Sequence, residues 1–472
     1  ALISALLLVP CFWHKRIEAG DVPSHTYTAW LAHLVQQGLA PGLYLESRWN
    51  NVLVDVSLQK LGELAGFIVA ERILVVISVL IFFWGAFALI AAAAAHPPWF
   101  LVPAIAMVTY GWTFYSGFMN FYLSIGLGFF AVALIWRGRG ADWLAAAVLA
   151  LLVLLAHPLG FLCLVGLAAY FKLAGLLRGW LRWLLFASAF GAVAAFHYYA
   201  LRFRNAYWHT RDFYGMNGAD QLALFGSRYE KLALVVLVLG VACFLFGVIR
   251  DWKNRNSRWA FRGPLEIWVV LIFTAVMIPE VLWFPQYASP FALIISRLTS
   301  VTGIVALCIV ASVKPRAWHF AVFGIPAAVF FLWTYQDTGM LNDMERQAET
   351  LTAPLPYGRR VIETINMAPD SRLWFVNHLV DRACIGHCFA YSNYEPPSLQ
   401  FRIRVAHGSP VNTDSEDDSA SMESGFYVVR KEDLPIDQIY QCDEKNLARL
   451  CIRELSAGEE NGRIGYRPQS MQ

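Results

Sequence analysis

A chain of 472 residues that is 58% hydrophobic and 15% charged is not composed like a water-soluble domain, where about a quarter of residues carry charge. Its mean hydropathy of +0.48, with 18 Trp, 19 Tyr and 33 Phe, points to bilayer helices bordered by aromatic belts. A net charge of +3 is too small to drive nucleic-acid binding, which excludes that class of partner.

The opening ALISALLLVPCFW is apolar but too short to cross a bilayer alone. Without a basic leader or an A-x-A site it reads as the outer part of a first membrane helix, not as a signal peptide. Residues 14–72 form a long loop with helical stretches near 23–38 and 50–66, divided by the turn-like GLAPGLY. Trp30, Leu31, Leu34 and Val35 share one face of the first stretch, and Val52, Val56 and Leu61 one face of the second. That pattern suits helices lying along a membrane surface. Spans follow near 73–95, 99–114, 118–136, 142–157, 159–177, 183–201, 232–249, 265–284, 292–312 and 317–335, making about eleven with the first.

Short loops carry Arg137 and Arg139; Lys172, Arg178 and Arg182; Arg250, Lys253, Arg255, Arg258 and Arg262; and Lys314 with Arg316. The positive-inside rule assigns them to the cytoplasm, and sends the loops 14–72 and 202–231 and the C-terminal region outside. In that region RLWFVN and GFYVVR read as strands. MERQAETLTAPLPYGRRVIETINM reads as helical at both ends with a break at APLP, and HGSPVNTDSEDDSASMESG as a mobile loop. The expected architecture is a polytopic α-helical membrane protein, with a transmembrane domain over 1–338 and a small extracytoplasmic α/β domain over 339–472. Cys11, Cys163, Cys243 and Cys308 lie in apolar runs as packing residues. Cys384, Cys388, Cys442 and Cys451 lie in the polar tail, where an oxidising location permits disulfides. Of three possible pairings, Cys384–Cys388 with Cys442–Cys451 is the most local.

Chemistry gathers in EAGDVPSHTYTAWLAHLVQQG, from Glu18. Asp21 stands where the chain leaves an apolar segment. It either caps the helix that starts at Pro23, or, if Ser24 takes that role, stays available to deprotonate an acceptor hydroxyl or amine. His25 is a surface or hydrogen-bonded histidine, or a base. Glu71-Arg72 reads as a local ion pair and His157-Pro158 as a helix break with a satisfied imidazole. CIGHC lacks a second Cys/His pair with zinc-site spacing.

DVPSHTYTAWLAHLVQQG resembles the first extracytoplasmic loop of the GT-C superfamily of integral-membrane glycosyltransferases. YSGFMNFYLSIGLGFFAVAL, from Tyr115, is similar to the fourth span of bacterial members. The resemblance implies a GT-C-like fold in a bacterial inner (cytoplasmic) membrane, surrounded by membrane lipids. The implied donor is a polyprenyl-phosphate sugar, and the acceptor a glycan, lipid or protein at the outer face. It gives Asp21 the part of base or acceptor-orienting group, with His25 as partner. An anionic lipid phosphate as leaving group calls for cations at its depth. Arg297, in ASPFALIISRLTSVTG, fits that need, where snorkelling or a pair with Glu280 is the bland alternative. Arg202, Arg204 and Arg211 offer further charge in the second loop. Glu18, Glu46 and Asp55 form no adjacent acid pair, which favours metal-independent chemistry while leaving a divalent metal open as cofactor. The alternative is a catalytically silent GT-C-like subunit working with partner membrane proteins. Transport is disfavoured by the lack of related halves with broken mid-membrane helices.

Overall fold

The computed structural model describes residues 1–138, 140–208, 214–250, 261–314, 316–365, 373, 378–443 and 445–462. The chain is mostly helical with a small C-terminal sheet region. Seven helices among the described residues are long and apolar enough to cross a membrane: Phe67–Ala94, Met119–Arg137, Pro158–Leu176, Trp180–Phe203, Ser227–Arg250, Ile294–Ala311 and Trp318–Thr352. Leu2–Cys11 and Gly140–Ala156 are apolar but shorter. The total is below the expected eleven for local reasons. The 99–114 segment breaks into Trp99–Leu101, Val102–Thr109 and Trp112–Tyr115. Gly111 allows that break, because a Cβ there would sit 2.9 Å from the Val108 carbonyl oxygen and 3.0 Å from that of Gln221. The segment expected over 265–284 is helical only over Arg262–Met277. It then extends, and Val281–Leu282 pairs antiparallel with Ala206–Tyr207.

The chain divides into two compact units. The first comprises residues 1–9, 75–284 and 290–334. Its core forms where helices approach through small residues: a Cβ on Gly126 would lie 2.8 Å from the Phe82 Cα. Beside that contact Phe82 stacks on Tyr122 at 4.5 Å. Close backbone approach of this kind is how helices associate in a solvent that gives no hydrophobic drive. At the other extreme, only 6% of the apolar window of Trp180–Phe203 is buried, so its leucines and phenylalanines require lipid around them.

The second unit comprises residues 10–74, 285–289 and 335–472. Residues of the 14–72 loop thus cluster with the tail. Leu43–Leu45 pairs antiparallel with Ile403–Val405, and the helix Val22–Gln36 packs against Leu379–Ala383. The main sheet runs in the order Cys388–Ala390, Arg359–Thr364, Ile436–Gln441, Leu450–Leu455. Its first two pairings are parallel and its last antiparallel. Ile362, Met422, Tyr427, Ile436 and Leu455 fill the core on this sheet. The disulfides are Cys384–Cys388 and Cys442–Cys451, and the four cysteines in apolar runs are free.

Three tail expectations change. The second half of the MERQ… segment is the strand Arg359–Thr364 rather than a helix, since Val361 and Ile362 are fully buried between two neighbouring strands. The acidic run is ordered: Ser415 caps the helix Glu416–Ser424 by accepting from the Asp418 N–H, and Met422 anchors it in the core. Three of its four acids, Glu416, Asp417 and Asp418, fall in the first turn, where the helix dipole favours them. GFYVVR contributes only a bridge from Val428 to Glu460, and RLWFVN lies outside the described residues except for Leu373.

Candidate functional site

Everything around Asp21 lies in the second unit. Asp21 occupies the N-cap position of Val22–Gln36, and its carbonyl accepts the His25 N–H at 2.9 Å, but its carboxylate makes no capping bond. Pro23 starts the helix without needing that bond, because it lacks an N–H. Ser24, His25 and Thr28 then converge on one buried carboxylate. Ser24 donates to Glu395 Oε1 at 2.8 Å, His25 Nδ1 lies 2.9 Å from the same oxygen, and Thr28 donates to Oε2 at 2.9 Å. Burial pushes the His25 ring down, but the Glu395 charge and hydrogen bond outweigh it and hold the pKa up at about 9. Burial likewise raises the Glu395 carboxyl, and His25, Ser24 and Thr28 bring it below its ordinary value. The pair is ionic and closed from water.

A second pair reaches the surface. His378 Nδ1 lies 3.1 Å from Asp381 Oδ2, and its Nε2 lies 3.7 Å from Asp21 Oδ1. Asn393 donates to both Asp381 Oδ2 at 2.7 Å and Ser24 Oγ at 2.8 Å, tying the two pairs together. His378 is pushed down by burial and up by Asp381 and Asp21, and stands at about 10. Burial raises the Asp381 carboxyl against the pull of His378. Side-chain exposure is 25% for Asp21 against 8% for His378 and 3% for Asp381. Asp21 is therefore the water-facing carboxylate of the cluster, backed by an imidazolium. Such a group can accept a proton from a hydroxyl or amine.

Below this cluster a buried guanidinium organises the chain entry. Arg382 donates to Glu71 at 2.7 Å, to the Ile17 carbonyl at 3.1 Å and to Glu345 at 2.6 Å, with Glu18 at 3.6 Å. Glu71 also accepts from Thr26 at 2.8 Å, and Arg72 turns to the Lys15 carbonyl. The expected Glu71–Arg72 pair is thus replaced by a long-range network. Burial, joined by Glu345, pushes the Glu18 carboxyl well up. Glu46 binds Arg404 at 2.7 Å.

Arg297 belongs to the first unit, in the first turn of Ile294–Ala311. Its guanidinium lies 4.0 Å from the Phe118 ring centre. Glu280 accepts from the Ile295 N–H at 3.0 Å and the Ser296 hydroxyl at 2.6 Å. Arg202 is exposed, Arg204 donates to the Tyr199 hydroxyl at 2.9 Å, and Arg211 lies outside the described residues. His157 caps its helix by accepting the Leu159 N–H at 3.1 Å. Among the described residues no group of three His, Cys, Asp or Glu is arranged to hold a metal ion.

Sequence reading reached Asp21, Ser24 and His25 but not His378, Asp381, Asn393 or Glu395. His25 and Glu395 are 370 positions apart, and no local pattern links them. A faint signal was present: buried histidine and acid three apart in HLVD, and an acid opening a short helix in EPPS.

No family model matches the chain, and neither does any curated protein or solved structure.

Proposed function

We propose that the protein is a membrane glycosyltransferase of the GT-C kind, moving a sugar from a polyprenyl-phosphate donor to an acceptor at the outer face of a bacterial inner membrane. The observation that carries this reading is the Asp21 carboxylate, unspent on capping, open to water and 3.7 Å from His378. The acceptor oxygen or nitrogen attacks the anomeric carbon and its proton passes to Asp21. The bond from that carbon to the phosphate oxygen breaks, and the electron pair leaves with the polyprenyl phosphate. His378, 3.7 Å away, is the positively charged neighbour of the Asp21 carboxylate. His25, its ring committed to Glu395, keeps the helix start in place. Arg297, Arg202, Arg204 and Arg211 are the cations proposed for the donor phosphate, each open to its own substitution. The apolar helices and the oxidised cysteines of the second unit support an extracytoplasmic setting.

The test is donor class. Purified protein in lipid vesicles is given labelled polyprenyl-phosphate sugars and, separately, nucleotide sugars, and polyprenyl-phosphate release is followed. Release from the lipid donors alone supports the reading, and consumption of nucleotide sugars alone ends it. The second reading, a catalytically silent subunit, is favoured by the full pairing of Glu395 with three neighbours. It expects no transfer from any donor and co-purification with other membrane proteins.

A further inference from the structure

At the basic end of the first unit a pocket of about 350 Å³ opens between four helices. The C-terminal turns of Met119–Arg137 and Pro158–Leu176 and the first turns of Trp180–Phe203 and Arg262–Met277 line it. Its lining combines apolar Val132, Ile135, Trp136 and Phe171 with the cations Lys172 and Arg182. Trp136 and Phe171 pack at 4.3 Å between ring centres. Arg182 and Arg262 both bind Glu266, at 3.0 and 2.7 Å, so one carboxylate is shared by two guanidinium groups. Lys172 lies 5.1 Å from the Trp143 ring and has no carboxylate partner among the described residues. Asp142, in the first turn of Gly140–Ala156, is the other acid among the described residues of these helix ends. Exposed Trp143, Trp180 and Trp183 mark the level of the lipid headgroups.

We infer that this pocket binds one anionic glycerophospholipid, its phosphate at Lys172 and Arg182 and an acyl chain along Trp136 and Phe171. A soluble phosphate would leave the apolar lining unused, and a zwitterionic lipid would leave the Lys172 charge unmatched. Basic pockets between membrane helices on the side rich in Lys and Arg suit such headgroups. The inference needs only that the chain spans a membrane, and stands whether or not sugar transfer is found.

The test is native mass spectrometry of the full chain in detergent. It is offered phosphatidylglycerol, phosphatidylcholine of the same acyl chains, or glycerophosphate. The Lys172 charge gives an expected preference for phosphatidylglycerol over phosphatidylcholine of about fivefold, and Lys172→Ala removes it. Lys172→Arg keeps the preference. Equal retention of both lipids, a Lys172→Ala variant with unchanged preference, or glycerophosphate bound as tightly as the lipid would each overturn the inference. If Lys172→Ala does not fold, the wild type decides alone: the preference must fall as salt is raised, and a salt-independent one overturns it.

Discussion

The His25–Glu395 pair makes the stability of the Asp21 region depend on pH, with a sign that can be worked out. His25 has an ordinary pKa of 6.5 and stands at about 9 in the folded chain, a rise worth about 3 kcal/mol of folding free energy. The folded state holds the proton more tightly, so the contribution is full below pH 6.5, declines above it and is gone past about pH 9. His378, raised to about 10, acts in the same direction over a window reaching higher. His25→Ala removes the imidazolium and leaves the buried Glu395 carboxylate to the Ser24 and Thr28 hydroxyls, a loss of about 3–5 kcal/mol at pH 6. Hydrogen exchange of amides in Val22–Gln36, corrected for intrinsic rates and measured in nanodiscs from pH 6 to 9, reads the opening free energy directly. The wild type should lose protection as pH rises, and the variant should start lower and slope less. Equal protection of both at pH 6, or a wild-type profile flat from 6.5 to 9, would refute the ionic assignment.

Arg382→Met should cost about 3–5 kcal/mol, because Glu18, Glu71 and Glu345 then face one another without their cation; thermal unfolding in detergent checks it. Gly126→Leu should destabilise the first unit by about 1–3 kcal/mol or more, since even a Cβ would meet the Phe82 backbone; the same assay applied to the isolated variant reads it. Replacing Cys442 and Cys451 by Ser should cost about 2–3 kcal/mol for a loop closed over a separation of 9, measured by protease resistance of the second unit. In spheroplasts, a membrane-impermeant maleimide should modify these two cysteines after reduction. Protection until the membrane is lysed would place the C-terminal region on the cytoplasmic side.

Long apolar runs made several spans readable. The stretches expected at 118–136, 232–249 and 292–312 appear as Met119–Arg137, Ser227–Arg250 and Ile294–Ala311, because hydropathy alone fixes where a helix is comfortable. It does not fix where a helix breaks, and 99–114 divides at a close backbone contact that composition does not reveal. In the tail, RRVIET carried a β-branched signal that was overridden by the helical look of its flanks. The acidic run looked unanchored because its one large apolar residue, Met422, finds its partners on distant strands. The same limitation governs the site. Asp21 was visible from its neighbours Pro23 and His25, but its relation to His378 is a product of tertiary structure, across more than three hundred residues.

Single-turnover sugar transfer by Asp21→Asn, set beside the wild type at one pH and with folding confirmed by hydrogen exchange, addresses the central claim most directly. The amide keeps the shape and loses the basicity, so transfer should fall by about 10²–10⁴. Transfer at the wild-type rate by the folded variant would contradict the assignment of Asp21 as proton acceptor.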